Sequence, residues 1–203
     1  MRRHFFTGLV LAMTASSALA QYVAAPQAGV PYPSLTTSSP VTLVASTGEP
    51  NDRGRATVAL GFNFPYYTRT YTQLIVSANG MAFFEPSADP NADFLSNVTL
   101  PTVTEPNAVL APFWDDLNGN NPTSAVRQQA VSGPNGAGKA IEWRDWNRAF
   151  GAYTLNFQIR LWENGVIEFF YGTMIGSGAT ITASVGIESP NGASATMPLA
   201  IPS

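Results

Sequence analysis

From Tyr153 to Leu161 the residues Tyr153, Leu155, Phe157, Ile159 and Leu161 alternate with Thr154, Asn156, Gln158 and Arg160. A period of two puts one set on each face of a strand, so this segment predicts a sheet with one buried and one wet face. Asn164-Gly165 follows it. A type I′ turn needs positive φ at both central residues, which Asn-Gly tolerates best, so the pair predicts a hairpin returning along residues 166–171.

The same signal recurs upstream, where Asn79-Gly80 joins residues 74–77 to residues 81–84. Residues 57–60 run into Phe62 and Phe64, which share one face, and Pro65 is expected to end that ladder. Further short strands are expected over residues 109–113, 126–131, 140–146 and 180–187. Segments of this length, separated by Gly, Pro, Asn and Asp, predict an all-β fold, an antiparallel two-sheet β-sandwich with hairpins at Asn79-Gly80 and Asn164-Gly165. After the first 20 residues no stretch shows a helical period, and no repeat of 20–50 residues is evident.

Arg2 and Arg3, the apolar run Phe5, Phe6, Leu9, Val10, Leu11, Ala12 and Met13, and the small-x-small Ala18-Leu19-Ala20 read as an export signal over residues 1–20, cleaved after Ala20. The apolar run is too short for the ~20 residues of a spanning helix. Residues 21–40 carry Pro26, Pro31, Pro33 and Pro40 among Ala, Ser and Thr, and read as an extended leader with little fixed structure. Residues 41–203 then form one domain. These features predict a product secreted to the extracellular space or periplasm of a bacterium, with no integral membrane segment after cleavage.

His4 is the only histidine, it lies in the signal, and the chain has no cysteine. Without imidazole or thiol the mature chain has no Ser-His-Asp or Cys-His nucleophile, HExxH zinc site or thiolate redox pair. Removing Arg2 and Arg3 leaves 8 basic residues against 13 acidic, a formal charge of −5. Lys139 is the only lysine, and the arginines are scattered, so no basic stripe follows a phosphate backbone and nucleic acid is not an expected partner. Lys139 in Gly136-Ala137-Gly138-Lys139 lacks P-loop spacing, and that segment reads as a hairpin loop.

Several segments in order resemble the nidogen-type extracellular (NIDO-like) β domain, including its relatives in bacterial exported proteins. They are Gly61-Phe62-Asn63-Phe64-Pro65-Tyr66-Tyr67, Val76-Ser77-Ala78-Asn79-Gly80-Met81-Ala82-Phe83, and Pro106 through Leu117 with its Ala111-Pro112-Phe113-Trp114-Asp115-Asp116 element. Residues 157–167 and Val185-Gly186-Ile187 continue the pattern, so the similarity spans roughly residues 55–190. The resemblance implies an extracellular module of matrix or surface proteins, associated with adhesion, and brings no catalytic residues with it. This chain departs from the usual setting in its shortness and its lack of disulfides.

Two loops place acidic and amide residues alternately, residues 116–120 and 89–93. Such oxygens can converge on calcium, with Asp115, Asp116, Asn118 and Asn120 the better set, or they can cap turns through their own backbone. No other cofactor is expected. Among the aromatics, Trp162 falls on the polar parity of its strand and is the expected exposed one; with an outward Phe170 it would form a binding patch, to which Trp114 and Trp146 are further candidates. Trp143 shares a face with Ile141 and is expected in the core. Paired carboxylates are the one acid-base resource left, and Glu142, Glu163, Glu168 and Glu188 are the available glutamates near predicted strands.

The reading that follows is a secreted, non-catalytic binding or adhesion module at the cell surface or in extracellular matrix, whose partner is a surface protein or a glycan. A carbohydrate-active hydrolase or lyase using paired carboxylates is the enzymatic alternative. A structural subunit of a surface layer or filament, self-associating as a homo-oligomer, is the third.

Overall fold

The alternating segment is a central strand of the larger of two antiparallel sheets. The computed structural model describes residues 3–5, 9–16, 21–46, 48–89, 92–178 and 182–197. In chain order the elements are β1 (Arg3–Phe5), β2 (Leu9–Ser16), β3 (Gln21–Ala28), β4 (Ser39–Pro40), the single-turn α1 (Pro50–Arg53), β5 (Arg55–Tyr66), β6 (Arg69–Ser77), β7 (Ala82–Phe83) and β8 (Val109–Trp114). They continue with β9 (Leu117–Asn118), β10 (Ala125–Gly133), β11 (Gly136–Arg148), β12 (Gly151–Trp162), β13 (Ile167–Gly178), β14 (Ser184–Glu188) and β15 (Ala195–Thr196).

The larger sheet runs β3-β2-β13-β12-β11-β10-β4, with β1 also on β13 and β9 on β11; the smaller runs β15-β14-β8-β7-β6-β5. The sandwich expected from the strand pattern is therefore the fold. The hairpins expected at Asn79-Gly80 and Asn164-Gly165 form: Ser77 N donates to Met81 O at 2.9 Å, and Trp162 N donates to Val166 O at 3.0 Å. Residues 9–16 of the expected export signal lie as β2 between β13 and β3, while Ala18-Leu19-Ala20 falls outside the described residues. Among the described residues no helix is long and apolar enough to cross a membrane.

All five apolar positions of the alternating segment are buried, as are Ile141 and Trp143 of β11 and Phe169 and Tyr171 of β13. They pack in one cluster with Phe64, Leu74, Val76 and Leu110 of the smaller sheet. Trp143 and Phe157, partners across β11 and β12, stack with ring centroids 5.1 Å apart. Burying each such side chain contributes about 1.5–3 kcal/mol, so the seam between the sheets dominates stability.

A second cluster lies on the outer face of the smaller sheet. Val109 and Ala111 alternate with the inward Leu110, and with Met81, Phe83 and Trp114 they are capped by Phe94 and Leu100 from the long β7–β8 connection. This cover is apolar.

Three sequence expectations are corrected. Pro65 does not end its ladder: it pairs with Thr70 inside β5, which is an edge strand and so can accommodate a residue with no N–H. Residues 136–139 are strand, not loop, because the turn closes one step earlier at Pro134-Asn135, with Gly133 opposite Gly136. The leader over residues 21–40 has fixed structure: β3 buries Tyr22, β4 pairs with β10, and residues 32–38 cross the larger sheet.

Candidate functional site

The outward positions of four neighbouring strands make one polar surface. Register sets Arg127 opposite Glu142, Glu142 opposite Gln158, and Gln158 opposite Phe170, while Arg160 stands opposite both Ala140 and Glu168. Arg144 Nη2 donates to Glu142 Oε2 at 2.6 Å, Arg160 Nε donates to Gln158 Oε1 at 2.6 Å, and the Arg160 guanidinium sits 5.1 Å from the centroid of the Phe170 ring. Burial pushes the Arg160 pKa down, and the carboxylates of Glu168 and Glu142 and the Tyr32 phenol partly counter it.

Across this surface lies the strap of residues 32–38. Tyr32 donates its hydroxyl to Glu142 Oε1 at 2.9 Å, and its ring rests against Gly172, where an added Cβ would come within 3.0 Å of the ring. Burial, then the nearby Glu142 charge, push the phenol pKa well up, so Tyr32 remains a donor. The carbonyl of Pro33 accepts from Gln158 Nε2 at 3.3 Å and Arg160 Nη2 at 3.1 Å, and that of Leu35 from Arg144 Nη2 at 3.3 Å. At the β10 side Gln129 Oε1 accepts from Thr37 N at 3.1 Å, and Arg127 Nη2 donates to Ser38 O at 2.6 Å. The donors of the sheet thus read main-chain atoms, and Gln158 and Glu142, polar by parity, are buried beneath the strap.

The expected aromatic patch does not form. Trp162 is 5% exposed and Phe170 7%, because Trp162 packs against Gly133 and Gly138 and donates Nε1–H to Glu168 Oε2 at 2.7 Å, while Arg160 lies over Phe170. Trp114 and Trp146 are each 1% exposed: Trp114 donates to Phe94 O at 2.9 Å in the outer cluster, and Trp146 to Ala78 O at 2.7 Å in the core. An indole that is buried and already hydrogen-bonded offers no stacking platform. Trp143 is core, as its parity requires.

Of the residues expected to bind calcium, Asp115 is engaged by its neighbours. Asp115 Oδ2 accepts from Arg148 Nε at 2.8 Å and its Oδ1 from Asp116 N at 2.9 Å, while Asn120 is exposed and Asn118 buried with Oδ1 lacking a hydrogen-bond partner. Asp116 faces outward toward α1; burial and then the charges of Asp52 and Asp115 raise its pKa. In the second loop Pro90 and Asn91 lie outside the described residues, and Asp93 Oδ2 pairs with Arg53 Nη1 at 2.5 Å. Among the described residues no three acidic or histidine side chains gather closely enough to share a metal.

The four glutamates do not form an open pair. Both oxygens of Glu142 accept, from Tyr32 and Arg144, Glu168 accepts from Trp162 on the neighbouring strand, Glu163 is exposed beside the β10–β11 turn, and Glu188 is buried in the smaller sheet. Sequence reading missed the strap. Its one local trace is Pro31 and Pro33 flanking Tyr32, since proline biases its neighbour toward extended backbone; the sheet contacts are 89 to 127 residues away in sequence.

A family model described as NIDO related matches residues 21–201. No curated protein and no solved structure matches the chain.

Proposed function

The chain belongs to the NIDO-related family, and on that premise we propose that it is a secreted, non-catalytic binding or adhesion module that recognises a surface protein or glycan. Membership of that family points to an extracellular β domain. The observation that carries the non-catalytic reading is the state of the carboxylates. Glu142 is held by Tyr32 and Arg144, and Asp115 by Arg148, each as a fixed acceptor in a network rather than a group poised to exchange a proton with substrate. General acid–base work on a glycosidic bond needs two carboxyls free to face the substrate, and the outer-face Glu142 and Glu168 are both engaged, Glu142 by Tyr32 and Arg144 and Glu168 by Trp162.

Purified protein of verified β spectrum, applied to a glycan array and to intact cells, is expected to be retained on at least one of them without chemical change to the ligand. Retention on neither would remove the reading. So would reducing-sugar release from a polysaccharide panel that vanishes in Glu142→Gln.

A further inference from the structure

Resting on the binding-module reading, we propose that the outer face of the larger sheet is a groove for extended polypeptide. Its resident occupant is the chain's own Tyr32-Pro33-Ser34-Leu35, and its ligand in trans is a partner segment of the same chemistry, a tyrosine followed by proline and, two residues later, leucine.

The two outer faces of the sandwich are both covered by non-strand segments, but by different physics. Over the smaller sheet Phe94 and Leu100 simply extend an apolar cluster. Over the larger sheet the cover is held by Arg127, Arg144, Gln158 and Arg160, which donate to the carbonyls of Ser38, Leu35 and Pro33, while Gln129 accepts from Thr37 N. Contacts to main-chain atoms bind any extended chain in register, and selectivity comes from side-chain seats, as in the recognition of proline-rich peptides. The Tyr32 ring has a seat on Gly172, the outward position that leaves room for it, with its hydroxyl on Glu142; the Leu35 side chain is buried, and its own carbonyl accepts from Arg144.

The polarity of this face also means it cannot stand empty at low cost. Buried Glu142 and Gln158 and the half-buried Arg144 and Arg160 would lose partners if the strap simply lifted. An incoming segment that supplies the same carbonyls and the same hydroxyl replaces those partners one for one. The strap is tethered, and so present at high effective concentration, which sets how strongly a partner must compete.

The test uses the full chain and a labelled synthetic peptide of residues 31–40, followed by anisotropy. In Tyr32→Ala the resident ring leaves its seat, and the peptide is expected to bind saturably, about tenfold or more tighter than to the unsubstituted chain. Adding Gly172→Val to that variant fills the seat and is expected to abolish binding, and a scrambled peptide is expected not to bind. Should Tyr32→Ala fail to fold, hydrogen exchange at Ser34, Leu35 and Thr37 of the unsubstituted chain is expected to quicken at millimolar peptide. The inference is overturned by folded Tyr32→Ala that does not take up the peptide, by uptake that Gly172→Val leaves unchanged, or by exchange rates indifferent to the peptide. Such a failure would leave retention on cells or glycans intact, so the two readings fail separately.

Discussion

Arg148 Nε lies 2.8 Å from Asp115 Oδ2, and the two side chains are only 8% and 4% exposed. Asp115 closes β8 into the turn before β9, and Arg148 ends β11, so the ion pair fastens the smaller sheet to the larger at one end. A buried pair contributes little net stability against an apolar pair of the same shape, yet removing one partner strands a buried charge at about 3–5 kcal/mol. Asp115→Ala is therefore expected to lower the urea-unfolding free energy by that amount, and Asp115→Ala with Arg148→Met to recover a large part of it. Equal losses in the single and double variants would show that the charge pair is not the source.

The Asn79-Gly80 and Asn164-Gly165 turns, alike in sequence, are expected to respond differently to alanine. Gly80 has φ +71°, and a Cβ there would stand 2.2 Å from Phe113 O, an atom of backbone that cannot yield. Gly165 has φ +89°, but its nearest atom would be Pro65 Cγ at 3.2 Å. Gly165→Ala is expected to cost about 1 kcal/mol from the left-handed backbone alone. Gly80→Ala adds the clash and is expected to cost more than about 3 kcal/mol or to prevent folding. Thermal unfolding of the two variants side by side decides it.

That contrast marks how far the sequence could be read. Alternation over residues 153–161 was sufficient to place Phe157, Ile159 and Leu161 in the core, because burial of one strand face is a local consequence of period two. The same parity predicted Gln158 and Trp162 to be wet, and there it failed, since what covers an outer face is set by tertiary contacts with no sequence period. Gln158 is closed over by Pro33, 125 residues away, and Trp162 by two glycines of the β10–β11 hairpin. The alternate oxygens of residues 115–120 were equally ambiguous. Asp115 among them is taken by Arg148, a pairing that follows from the β9–β11 register rather than from spacing.

Tyr66 joins the two halves of the smaller sheet through one hydroxyl, which lies 2.7 Å from Glu188 O and 3.2 Å from Val109 O. Burial raises its pKa well above the usual phenol value, with Tyr67, Tyr22 and Glu188 adding to the effect, so it is a donor at neutral pH. Tyr66→Phe keeps the ring and leaves two strand carbonyls short of a donor. The expected loss is about 1–2 kcal/mol, read as a shift in denaturant midpoint at unchanged slope. A changed slope would point instead to loss of the aromatic cluster formed with Tyr22, Tyr67 and Phe84.

Glu188 gives the fold a pH dependence of definite sign. Burial pushes its carboxyl from the ordinary 4.5 up to about 7, against the opposing hydrogen bond from Thr102 N at 2.6 Å, and its second oxygen has no hydrogen-bond partner. Between those two values the folded protein holds a proton that the unfolded chain has released, so stability is full below about 4.5 and falls as pH rises toward 7. The loss from this one group is about 3 kcal/mol. Glu188→Gln keeps an acceptor for Thr102 N and carries no charge, so the difference in unfolding free energy between variant and parent is expected to grow in the variant's favour from pH 5 to pH 7 and to level off above. Other carboxylates with raised values, Asp52 and Asp116, are present in both proteins and cancel in that difference. A difference that stays constant across the range would show that Glu188 is ionised in the folded state throughout.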